Sequence, residues 1–84
     1  MAQTAEKIRR VKGNAIDITI NRLVGEQRDP SLRDAYRERI CAACGISNRY
    51  SMLLNNTVVA TVNELATVAQ VLGVPVQELI MLED

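Results

Sequence analysis

Histidine, phenylalanine and tryptophan are absent from this 84-residue chain, and its only aromatic rings are Tyr36 and Tyr50. Without histidine the chain lacks the commonest general base and the commonest metal ligand. Two rings are too few for a single-strand nucleic-acid binder, which stacks bases on several. Cys41 and Cys44 are the only cysteines, so there is no disulfide framework. They form C-x-x-C, but zinc needs two further ligands, and neither a histidine nor a third cysteine is present. A redox pair belongs to a βαβ setting, and haem attachment needs a histidine where Gly45 stands. Both cysteines read as small apolar side chains within a helix. Four glycines and two prolines are too few for a loop-rich chain. No apolar run approaches the roughly 18 residues of a membrane span, and no signal-peptide pattern opens the chain. There is no nucleophile–base pair, no glycine-rich phosphate loop and no pair of carboxylates in an apolar setting. The expectation is a cytoplasmic protein with no membrane partner, no cofactor and no bound metal, and not an enzyme.

What is present fits one small globular domain spanning residues 1–84. Hydrophobic residues make up 48% of the chain, above the range of disordered segments, and the length supports a single core. The zero net charge conceals a polarity. Residues 1–50 hold all ten basic side chains and six acidic ones, for +4; residues 51–84 hold four acids and no base, for −4. A molecule so divided can offer one basic face to an anionic partner.

Turn signals fall at Gly13-Asn14, Gly25, Asp29-Pro30, Gly45, Asn55-Asn56-Thr57 and Gly73-Val74-Pro75. They separate segments of short-helix length. Residues 5–12 read as a helix closed by Gly13. Residues 15–20 alternate like a strand, but Ile16, Ile20, Leu23 and Val24 fit helical spacing equally well. No second alternating run offers a strand partner, so residues 15–24 are taken as helical. Residues 1–28 thus form a helical extension before a core at 29–82. Asp29 suits an N-cap with Pro30 in the first turn, and Leu32, Tyr36, Ile40 and Ala43 form one stripe of the helix that follows. Thr61-Val62-Asn63-Glu64 is a capping box. It opens a helix with Leu65, Ala69 and Leu72 inward and Gly73 at its end. Pro75 starts a last helix over residues 76–82. Its tail Leu79-Ile80-Met81-Leu82 is apolar nearly all round and needs cover, from the core or from a second copy of the chain.

The helices at 31–43 and 47–55 are separated only by Cys44-Gly45-Ile46, a helix-turn-helix unit. Gly45 can take the positive φ of a sharp turn, Ile46 returns to the core, and Ser47 caps the second helix. On a helical wheel Tyr50, Leu53 and Leu54 share one side, and Asn48, Met52 and Asn55 lie opposite, flanked by Arg49 and Ser51. An outward Asn–Met–Asn row suits a DNA major groove. Asparagine can pair with adenine N6 and N7, and methionine can lie on a thymine methyl. Arg49 can reach guanine or phosphate. Backbone N–H groups at Ser47 and Thr61 suit phosphate oxygens, as do Arg33 and Arg37 beside the turn.

The stretch RICAACGISNRYSMLLNN, followed by NELATVAQVLGVPVQELI, resembles the Cro/repressor-type helix-turn-helix family. The matching features are Gly-Ile-Ser at the turn and Leu-x-x-x-Ala-x-x-Leu-Gly-Val-Pro-x-x-Glu-Leu from Leu65 to Leu79. The resemblance covers about residues 31–82. It implies an all-α bundle of about five short helices. It places Asn48, Arg49, Ser51, Met52 and Asn55 on a recognition helix and gives Arg33 and Arg37 contacts to the DNA backbone. The expected function is sequence-specific binding of double-stranded DNA as a repressor-type transcriptional regulator. A homodimer would read two half-sites, held together through Leu79–Leu82 or the N-terminal helix. The competing expectation keeps the fold but turns the same helix face toward a protein, as an interaction or oligomerisation module.

Overall fold

The first and last described segments of the chain pair with each other. In the computed structural model, which describes residues 11–82, strand β1 (Val11–Asn14) pairs antiparallel with strand β2 (Ile80–Leu82). Val11 lies opposite Leu82, Gly13 opposite Met81 and Asn14 opposite Ile80, with a bulge between Val11 and Gly13. Between the strands run α1 (Ile16–Gln27), α2 (Leu32–Cys44), α3 (Tyr50–Leu54), α4 (Val62–Leu72) and a 3-10 turn (Val76–Leu79).

The all-α, five-helix expectation is therefore corrected: the described residues form four α-helices and a small two-stranded sheet. The helix expected at 5–12 falls partly outside the described residues, and Val11 and Lys12 belong to β1. The last helix expected at 76–82 is one 3-10 turn followed by β2. The reason is tertiary. Three apolar residues carry no period of their own, and the backbone groups of β1 find their partners far along the chain, in β2 and, for Asn14, in the Asn56 side chain. Leu79, expected to help form a dimer surface, is fully buried in the core.

The helices follow local chemistry more closely. α1 runs through Gly25 and ends at Arg28, which has a left-handed backbone (φ 55°). Ahead of α2 the Asp29 carboxylate accepts from the N–H and hydroxyl of Ser31. Asp29 thus organises the turn, as its residue type favours, but α2 itself starts at Leu32. Its inward side chains are Ile40, fully buried, with Leu32, Tyr36, Cys41 and Cys44 half-buried; Ala43, expected on the stripe, is exposed. α4 opens with the expected capping box, both reciprocal hydrogen bonds being made, and Gly73 closes it.

α2 packs against α4 and α1, and the 3-10 turn closes against α4 and α1. The core gathers Ile16 and Ile20 of α1, Ile40, Ile46, Tyr50, Leu53, then Val68, Ala69 and Leu72 of α4, and Leu79. Six of these side chains (Ile16, Ile20, Ile40, Leu53, Val68 and Leu79) are completely enclosed. Each contributes about 1.5–3 kcal/mol of apolar burial. Two of the six come from α1, so that helix is part of the core. No helix among the described residues is long and apolar enough to cross a membrane.

Candidate nucleic-acid interface

α2 ends at Gly45, whose left-handed backbone (φ 65°) closes the helix with its N–H on the Cys41 carbonyl. Space is open around a Cβ there, so the requirement for glycine is one of backbone angle alone. Ile46 then enters the core, its N–H also on the Cys41 carbonyl. The chain turns through Ser47, Asn48 and Arg49, with the Arg49 N–H bonded to the Ile46 carbonyl, before α3 begins at Tyr50. The second helix is thus five residues long, not the nine expected, and Ser47 is not its cap.

The wheel is realised in space. Ile46, Tyr50 and Leu53 are buried, and Leu54 is half-buried; Asn48, Ser51, Met52 and Asn55 are exposed. Side chains from α2 flank this face. One depression is lined by Asp34, Arg37, Glu38, Cys41, Ala42 and Ser47. A second, sharing Asp34 and Arg37, adds Arg33, Tyr50, Ser51 and Leu54. A third shares Tyr50, Ser51 and Leu54 with it and reaches Asp17 and Asn55. The fold therefore brings Arg33, Arg37, Ser47, Ser51 and Asn55 onto one continuous surface.

The arginines of this surface are differently held. The Arg37 guanidinium lies 5.8 Å from the centroid of the Tyr50 ring, within cation–π range. Burial in turn pushes the Tyr50 hydroxyl above its ordinary pKa. Arg33 sits 3.6 Å from Asp17, with both side chains about half exposed. Such a pair is worth little in water, and a phosphate can displace it.

Arg49 and Thr61 have other duties. The Arg49 guanidinium is 2.9 Å from the Glu64 carboxylate. The second carboxylate oxygen accepts the Thr61 N–H at 2.9 Å, and the Thr61 hydroxyl accepts the Glu64 N–H at 3.0 Å. The Thr61 hydrogen bond, followed by the Arg49 contact, holds the Glu64 carboxyl below its ordinary range against the opposing effect of burial. The hydroxyl and N–H of Thr61 are thus both engaged within α4's own cap. Asn55 is also partly engaged: its Oδ1 accepts the N–H of Thr57 at 2.9 Å.

Sequence reasoning missed the partners of these groups. Glu64 was legible as half of a capping box but not as the anchor of Arg49. Asp17 carried no sign that it would face Arg33. Asn56 read as a helix end and Asn14 as turn punctuation, whereas the two are joined by hydrogen bonds. The Asn55-Asn56 doublet was the one local signal. Burial pushes the Cys44 thiol up, with Glu64 and Cys41 adding to it, so that cysteine is poorly suited to act as a thiolate. Comparison of the chain with protein-family models, with curated proteins and with solved structures gives no match.

Proposed function

We propose that this chain binds double-stranded DNA in a sequence-specific manner, as a repressor-type transcriptional regulator acting through site occupancy. One observation carries the reading. A glycine corner joins α2 to α3, with Ile46, Tyr50 and Leu53 turned inward and Asn48, Ser51, Met52 and Asn55 exposed, Ser51 lining one depression with Arg33 and Arg37. In this mechanism the turn at Asn48 and the short α3 enter the major groove, where amides and the methionine meet base edges. Arg33, Arg37 and Ser47 rest on phosphates, and Arg49 stays near the rim, braced by Glu64. A five-residue helix covers few base pairs, so two copies reading half-sites about one helical turn apart are required for tight specific binding.

Selection from randomised duplex DNA tests the proposal, followed by titration of the selected site in increasing salt. Two arginines from each of two copies give a log–log slope of about −3.6. Affinity should then fall roughly 10²-fold between 50 and 200 mM salt. Recovery of no preferred sequence at low salt rejects the proposal. The alternative, a protein-interaction module, has one observation in its favour: Asp34 and Glu38 line the same depressions as the arginines, and Asp17 pairs with Arg33. Binding to a protein partner with no affinity for DNA at low salt would establish it.

A further inference from the structure

The most extensive long-range polar contact lies behind the outward face of α3. Asn56 follows the helix with a left-handed backbone (φ 63°). Its Oδ1 accepts the Asn14 N–H at 2.8 Å, and its Nδ2 donates to the Asn14 carbonyl at 3.1 Å. One carboxamide thus pairs with the end of β1 as a residue of a neighbouring strand would. The buried Asn14 side chain completes the junction. Its Nδ2 donates to the Leu53 carbonyl at 2.8 Å, and its Oδ1 accepts the Ile16 N–H at 3.0 Å. The end of α3, the end of β1 and the start of α1 are therefore tied by two side chains 42 positions apart. Gly13 is part of the arrangement, since a Cβ there would stand 2.7 Å from Asn56 Oδ1.

The geometry points to Asn14 and Asn56 as positioning residues that set the angle at which α3 presents Met52 and Asn55 to base edges. This rests on the DNA-binding reading. A helix of five residues has too few internal hydrogen bonds to hold itself. Its start is fixed by Ile46 and its far end by this clamp. Arg33 and Arg37 sit on α2, which is packed against α4 and α1 and makes none of the clamp's hydrogen bonds. Loosening the clamp therefore degrades base discrimination and leaves phosphate binding in place.

Asn56→Asp provides the test. An ionised carboxylate accepts from Asn14 N–H but cannot donate to the Asn14 carbonyl, whereas a protonated carboxyl does both. Lys12 is the one titratable side chain lining the groove around position 56 among the described residues. At neutral pH, amides of Leu53 and Leu54 should exchange about tenfold faster than in wild type at the same pH, with those of α4 unchanged. Preference for the selected duplex over a scrambled one should fall about tenfold at constant salt slope, and acidification should restore both. Gly13→Ala should reproduce the loss in wild type and add nothing in an Asn56→Gly background. Uniform acceleration of every amide, or unchanged discrimination with a loosened α3, overturns the positioning role. A wild-type protein that selects no sequence while Asn56→Asp still loosens α3 overturns the readout through the functional reading, with the clamp itself intact.

Discussion

The guanidinium of Arg49 and the carboxylate of Glu64 are 2.9 Å apart, and they tie the turn before α3 to the capping box of α4. Glu64 is nearly buried, whereas Arg49 is about 40% exposed, so the carboxylate is the anchored member. The Glu64 carboxyl has a lowered folded-state pKa. Its contribution to stability is therefore fully present above the unfolded value, near 4.5, and is lost as pH falls through the folded value. Urea midpoints measured from pH 6 to pH 3 should show Glu64→Gln less stable than wild type at the upper end. The gap should narrow toward the lower end. A gap independent of pH would remove Glu64 from the account.

Gly45→Ala should destabilise the protein by about 1 kcal/mol, because alanine pays a backbone penalty at φ 65° with no steric clash to add. Gly45→Asn should cost less, since asparagine tolerates this region better. Thermal melts of the three proteins decide it; equal melting temperatures would mean that the corner does not require a left-handed residue.

Asn48→Ala and Arg37→Ala should separate base reading from phosphate holding. The exposed Asn48 makes no hydrogen bond through its side chain among the described residues, so its removal should leave the melting temperature unchanged. Binding to a selected duplex should weaken by about 1–3 kcal/mol. Arg37→Ala should weaken binding to all sequences alike and reduce the magnitude of the salt slope by about 1.8, one contact being lost from each of the two copies. Asn55→Ala is a less clean probe. It should weaken binding by a similar amount, but it also removes the acceptor of Thr57 N–H, at about 1 kcal/mol of stability. Isotherms on selected and scrambled duplexes at three salt concentrations test all three.

Cys41→Ala and Cys44→Ala should each lower stability modestly, by about 1 kcal/mol or less, as expected for half-buried side chains trimmed by one atom. Elemental analysis of the native protein should find no stoichiometric metal. Zinc at one equivalent per chain, or per two chains, would show that the pair ligates.

The sequence alone determined the breaks at Asp29, Gly45, Thr61 and Gly73 and much of the facing of the helices, whereas Gly25 and Gly13-Asn14 fell inside α1 and β1. Thr61 and Glu64 announce the start of α4 because cap chemistry is complete within four residues. Gly45 announces the corner because its backbone requirement is local, and Tyr50 and Leu53 point inward because helical geometry spaces them so. α3 came out shorter than its pattern, since Ser47 to Arg49 are apolar-poor and the turn extends through them before the helical bonds begin. Only the tertiary structure decided the rest. β1 and β2 exist because residues far apart in the chain supply each other's backbone hydrogen bonds, a pairing that leaves no trace in either segment. The partners of Arg33, Arg49 and Asn56, namely Asp17, Glu64 and Asn14, were chosen by the packing of α1, α2 and α4. Hydrogen bonds and ion pairs act over a few ångströms in space, and sequence distance does not encode that separation.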